Sequence, residues 1–106
     1  MINSITELND QFRRTFQGGR VILTASIAAL DPFEQAAIFA KVQGFESFTE
    51  DNDPYGEHDF GAFTHDGQRL FWKIDYYAPD MRHGSEDPAN PEKTIRVLTI
   101  MLSEEY

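Results

Sequence analysis

The dipeptide Asp66-Gly67 stands between Glu57-His-Asp-Phe-Gly-Ala-Phe-Thr-His65 and Gln68-Arg-Leu-Phe-Trp-Lys-Ile-Asp-Tyr-Tyr77, two aromatic-rich runs with alternating patterning. Asp-Gly in that setting favours a type I′ turn, whose two positive-φ positions match the twist of paired strands. A two-residue loop at 66 and 67 fixes the register. Residue 65 faces 68, 63 faces 70, 61 faces 72 and 58 faces 75. One face then carries Gly61, Phe63, Leu70, Trp72, Ile74 and Tyr76, an apolar set in which a large indole lies over a glycine. The other is mixed: His58, Phe60, Ala62, Thr64, Arg69, Phe71, Lys73, Asp75 and Tyr77. The register predicts His58 beside Asp75.

Upstream, the chain turns acidic. Between Lys41 and Arg69 there is no lysine or arginine, while Glu46, Glu50, Asp51, Asp53, Glu57, Asp59 and Asp66 all fall in that gap. The whole chain has 18 acidic against 9 basic side chains, a formal charge of −9, and its arginines are scattered, so direct nucleic-acid binding is not expected. A protein partner with a basic surface, a cation, or solubility alone would each account for the acids. The residues placed to meet such a partner are Glu50, Asp51, Asp53, Tyr55, Glu57 and Asp59, with Phe60, Phe71, Lys73 and Tyr77 as an aromatic and basic rim. Partial cover of that rim by the segment after the hairpin is expected.

Outward from the hairpin, the remaining elements follow. Ser4-Ile-Thr-Glu7 has capping-box spacing, Ile5, Leu8, Phe12 and Phe16 form a helical stripe, and Gly18-Gly19 supplies a stop, with Arg13 and Arg14 suited to the last turn. Arg20-Val-Ile-Leu-Thr-Ala25 reads as a strand buried on both faces, and residues 26–30 as a single helical turn or an irregular segment. Asp31-Pro-Phe-Glu34 starts a second long helix with an acidic N-cap and proline at N1, running to Gln43 before Gly44. Its Phe33, Ala36, Ala37, Ala40, Ile38 and Val42 make a broad apolar surface for packing on a sheet. Residues 45–49 read as a short edge strand. Residues 78–93 carry three prolines and form a long loop, and Thr94-Ile-Arg-Val-Leu-Thr-Ile-Met-Leu102 is the closing, central strand. The expected fold is α+β, a two-layer sandwich with a mainly antiparallel sheet of four or five strands and two helices on one face.

A chain of 106 residues supports one core and hence a single domain. A hydrophobic share of 41% with nine phenylalanines predicts a folded chain rather than an acidic disordered one. No cysteine is present, which excludes disulfides and thiolate metal sites and suits a cytoplasmic setting. There is no leader-like start and no run long enough to cross a membrane, so no membrane partner is expected.

The strings Arg20-Val-Ile-Leu-Thr-Ala25, Asp51-Asn-Asp-Pro-Tyr-Gly-Glu-His-Asp-Phe-Gly61, Phe71-Trp-Lys-Ile-Asp-Tyr-Tyr77, Gly84-Ser-Glu-Asp-Pro88 and Arg96-Val-Leu-Thr-Ile-Met-Leu102 together resemble a family of small alphaproteobacterial proteins classed as a domain of unknown function. Members of that family often sit on plasmids and integrative elements. The resemblance runs from about residue 6 to 106. It implies no particular reaction, and residence on mobile elements implies an accessory or anti-defence role.

Two functional readings follow. In the first, the chain is a binding module without catalysis that presents the acidic surface and the aromatic hairpin face to a basic protein, as a nucleic-acid mimic would. In the second, it is a small metal-assisted hydrolase in which His58, oriented by Asp75, works with the weak metal candidates Glu57 and Asp59. A structural cross-strand ion pair, common in sheets, is the simpler account of His58 and Asp75, since the cluster has only one histidine and no serine or cysteine nucleophile stands beside it, so the binding reading is preferred. Asp51-Asn-Asp-Pro-Tyr-Gly56 opens like a calcium loop, but Tyr55 and Ala62 stand where a ligand and the closing carboxylate belong; an Asx-turn network fits better. No cofactor motif stands in the chain, and none is expected.

Overall fold

The computed structural model describes residues 4–106. In chain order the elements are α1 (Ser4–Thr15), β1 (Gly19–Leu23), α2 (Ala25–Ala28), α3 (Pro32–Gln43), β2 (Phe60–His65), β3 (Gln68–Tyr77) and β4 (Ile95–Leu102), closed by a 3-10 turn at Ser103–Glu105. The fold is α+β, with a mixed four-stranded sheet in the order β1-β4-β3-β2. β2 with β3 and β3 with β4 are antiparallel, whereas β1 runs parallel to β4.

The hairpin register is as the turn dictates. Phe60 faces Lys73, Gly61 faces Trp72 and His65 faces Gln68, and both turn residues have positive φ, Asp66 at 51° and Gly67 at 75°. A Cβ on Gly61 would collide with the Trp72 indole and the Phe45 ring, so that position must stay bare for the indole to lie flat. Trp72 is fully buried. Around it, Leu70, Ile74, Leu98 and Ile100 from the sheet meet Phe12 of α1, Ile27 of α2, and Ile38 and Val42 of α3. The helices therefore cover the Trp72 face. The opposite face, with Phe71, Lys73, Asp75 and Tyr77 from β3, is bordered by the carboxy-terminal turn and Tyr106.

Several expectations are corrected. β1 is an edge strand, not a strand buried on both sides: Val21 and Leu23 pair in register with Leu98 and Ile100, while Arg20 and Ile22 point to the open face and are exposed. Its parallel pairing with β4 has no local signature in sequence. Gly19 serves that pairing rather than the helix stop, because a Cβ there would meet the Arg96 carbonyl at 2.5 Å. α1 instead ends where Phe16 turns left-handed at φ 58° and Gly18 follows at 96°. At its other end α1 includes Ser4, so its cap position lies outside the described residues. Residues 45–49 form no strand; Phe45 and Phe48 turn inward onto Trp72.

α3 starts as read, with Asp31 accepting from the Glu34 amide at 2.9 Å. Only part of its apolar surface packs. Ile38 and Val42 are one turn apart on the buried stripe, and Phe33, 89% exposed, shares the outer side with Ala36, Ala37 and Ala40. The segment 78–93 meets the expected rim at Tyr77. It is tied to the end of β3 by the Tyr77–Gly84 bridge and a Ser85 N–H to Tyr76 carbonyl bond of 3.0 Å, and it reaches α1's side of the sheet through Pro88. The open-face aromatics are met by the carboxy-terminal Tyr106, 5.8 Å from Phe71 and 6.4 Å from Phe60. No described helix is long and apolar enough to cross a membrane.

Candidate functional site

α1 brings Asn9, Asp10 and Arg13 to the side of the molecule where the acidic loop runs into β2. Asn9 and Arg13 follow Ile5 at helical spacing, so they share the inward stripe with Phe12. Arg13 is fully buried. It stands in the last turn of α1, and its side chain reaches across to α3. Its Nε donates to the Val42 carbonyl at 3.1 Å and Nη2 to the Phe45 carbonyl at 3.0 Å, closing the end of α3, while Nη1 pairs with Asp10 at 3.1 Å. The guanidinium lies 5.3 Å from the Trp72 ring and 5.4 Å from Phe48. Burial lowers its pKa from the ordinary arginine value, with Asp10 opposing.

Asn9 is the hub of a second set. Its amide donates to the Glu57 carbonyl at 3.0 Å and the Tyr76 hydroxyl at 2.7 Å, and its oxygen accepts from Arg96 Nε at 2.7 Å. Tyr76 in turn donates to the Glu57 carboxylate at 2.9 Å. Burial pushes the Tyr76 phenol well above its usual range, so it is a neutral donor at physiological pH. Asn9, Tyr76 and Glu57 each bond to another member of this set, the arrangement that makes a buried network hold one conformation.

His58 belongs to this covered side. It adopts φ 56°, a left-handed turn before β2 begins, and that turn breaks the alternation that would have set it opposite Asp75. Its ring stacks on Phe48 at 3.8 Å, Nδ1 lies 2.9 Å from Asp10 and Nε2 lies 3.6 Å from Asp53. Asp75 is on the other face, paired with Lys73 at 2.9 Å. The predicted His58–Asp75 pairing is therefore absent, and the carboxylates beside the ring are Asp10 and Asp53 instead. Among the described residues no three histidine, aspartate or glutamate side chains converge to hold a metal ion.

The acidic loop divides into supports and tips. Asp53 is buried, with Oδ1 accepting the His58 amide at 3.1 Å, so it is a structural residue rather than an exposed contact. Asn52 accepts the Thr49 amide at 2.9 Å and donates to the Ser47 carbonyl, the Asx-turn network expected of this stretch. Glu57 is held by Tyr76. Asp59 is half-buried, and burial followed by the nearby Glu57 raises its carboxyl above the usual range. Glu50, Asp51 and Tyr55 remain exposed, Tyr55 at 83%. The backbone beneath them is fastened to α1 by Thr6 donating to the Gly56 carbonyl and by the Asn9 bond to Glu57.

On the open face Phe60 and Phe71 touch at 5.1 Å, with Lys73 6.0 Å from the Tyr106 ring. Beside them Lys73, Asp75 and Tyr77 line an open depression of about 450 Å³ with Thr24, Thr99 and Glu105. The Asp75 hydrogen bond raises the Lys73 pKa. Thus the sequence-derived residues fall into three places: Glu50, Asp51 and Tyr55 at the loop tip, Asp53, Glu57, His58 and Asp59 beneath or beside it, and Phe60, Phe71, Lys73, Asp75 and Tyr77 on the open sheet face. Asn9, Asp10, Arg13, Tyr76 and Arg96 were missed as members of one network. For Asn9 and Arg13 the available signal was their position on the α1 stripe.

A family model described as "Protein of unknown function (DUF3768)" matches residues 23–105, which takes in the loop, the hairpin and β4 but not α1. No curated protein and no solved structure matches the chain.

Proposed function

The chain belongs to the DUF3768 family, and from that premise, which names no reaction, we propose that it is a non-catalytic protein-binding module acting in the cytoplasm. Its partner presents a basic surface of the kind that otherwise takes a nucleic-acid backbone. The contact is the acidic loop tip, Glu50, Asp51 and Tyr55, and the neighbouring aromatic rim begins at Phe60. The observation that supports this reading is the contrast between an exposed tip and a fastened base. Tyr55 stands out from a loop whose backbone is bonded to α1 and whose Asp53 and His58 are locked beneath it. A preformed loop loses little conformational entropy on docking, tyrosine supplies contact area at low ordering cost, and carboxylates around it steer a basic partner. On mobile elements, which the family resemblance implies, the fitting role is accessory: blocking a nuclease or defence complex by occupying its basic groove.

The test is capture from a host cytoplasm by the wild type and by Glu50→Lys/Asp51→Lys/Tyr55→Ala, followed by titration of the captured protein at rising salt. The proposal expects a partner held by the wild type, released by salt and lost from the variant, with an unchanged melting temperature. Capture that ignores both salt and the variant overturns it.

A further inference from the structure

Two guanidiniums are buried beneath the helices, and only one is neutralised. Arg13 has Asp10. Arg96, 3% exposed, donates Nε to Asn9 and Nη2 to the Pro88 carbonyl, both uncharged, and it lies 5.2 Å over the Tyr76 ring. Among the described residues no carboxylate stands within ion-pair distance of it; Glu57 acts on it only at longer range. Its Nη1 has no acceptor there either. Trp72 Nε1 is the only described buried side-chain nitrogen or oxygen that lacks a partner while sealed from solvent, so Arg96 Nη1 keeps an opening.

Arg96 lines a cavity of about 280 Å³ between the second half of α1 and residues 91–94. Its walls include the apolar side chains of Leu8, Phe12 and Pro91 and the neutral polar ones of Gln11 and Thr15, and no acidic residue lines it. In a chain of net charge −9 this is an exception. A desolvated cation without a counter-charge is costly, and such groups are ordinarily paired.

We infer that this cavity binds a small organic carboxylate, with its head group on Arg96 Nη1 and a short apolar body along Leu8, Phe12 and Pro91. One guanidinium neutralises a monoanion, whereas a phosphate dianion would leave an excess negative charge within an already acidic molecule. The volume lies near the lower limit of small-molecule sites, which keeps the ligand short. The inference does not rest on the acidic-loop reading, since the cavity uses none of its residues.

The experiment is an NMR titration of the full chain with sodium hexanoate, with hexan-1-ol and inorganic phosphate as parallel arms, following the Arg96 Nε–Hε signal and the amides of Leu8, Gln11 and Thr94. Saturable shifts at these positions are expected with hexanoate alone. Because Arg96→Gln also removes two structural hydrogen bonds, the decisive variant is Gln11→Glu, an exposed helix position that places an internal carboxylate at the cavity. Its hexanoate Kd should rise by about tenfold or more, roughly the 1.4 kcal/mol of one decade. Equal shifts with hexan-1-ol, saturation by phosphate instead, no saturation at all, or an unchanged Kd in Gln11→Glu overturns the assignment.

Discussion

On the covered face of β3, Trp72 is sealed between Gly61, Phe45 and the Arg13 guanidinium, which is itself bonded to Val42, Phe45 and Asp10. One residue further along the strand, on the open face, Lys73 and Asp75 form an ion pair whose side chains remain 36% and 39% exposed. The first environment makes each group depend on its neighbours; the second is screened by water, where such a pair contributes little. The same ten-residue strand thus carries a scaffold on one side and a solvated surface on the other. Residue type marks part of the division, since Leu70, Trp72 and Ile74 alternate with Arg69, Lys73 and Asp75, although both sides hold aromatics. What completes it is which face the helices reach.

The largest test of that contrast is Trp72→Ala against Phe71→Ala. Removing the buried indole should cost about 3–5 kcal/mol in a denaturant titration, and removing the half-exposed Phe71 ring should cost less than half as much. Equal losses would mean that the open face is packed too. Asn9→Ala comes next. It strips Arg96 Nε and the Glu57 carbonyl of their partner, and a destabilisation of about 2–3 kcal/mol is expected, more than an exposed asparagine would give.

A smaller effect, of opposite sign, is expected at Asp59. Its folded-state pKa lies above the unfolded one, so the native state holds the proton more tightly, and stability falls as pH rises from the ordinary carboxylate range through the raised value. Asp59→Asn should therefore raise the melting temperature at pH 7, and the gain should vanish once acid protonates the wild type. A gain that persists at low pH would assign the strain to something other than charge. The smallest effect belongs to the loop tip: Glu50→Lys with Asp51→Lys should shift stability by no more than about 0.5 kcal/mol, as measured by thermal unfolding.

Much of the scaffold was legible in sequence because it rests on local chemistry. Asp66-Gly67 set the hairpin register, and Asp31-Pro-Phe-Glu34 set the start of α3, each through backbone geometry available within four residues. The placement of β1 was not legible, because a parallel neighbour separated by most of the chain leaves no local mark. His58 failed for a sharper reason: strict alternation was extended two residues past the start of β2, into a left-handed turn. The polar network was hidden by composition, since Asn9 and Arg13 read as surface residues until the helix stripe is taken to include them. The acidic loop was recognised as a unit, but only coordinates separate buried Asp53 from exposed Asp51.

The central claim is that His58 is part of the covered scaffold and has no dealings with Asp75. Two double-mutant cycles measure this directly, His58→Ala with Asp10→Ala and His58→Ala with Asp75→Ala, each by equilibrium unfolding. The predicted coupling is about 1–2 kcal/mol for the Asp10 cycle and within about 0.3 kcal/mol of zero for the Asp75 cycle. Coupling to Asp75 with none to Asp10 would contradict the account.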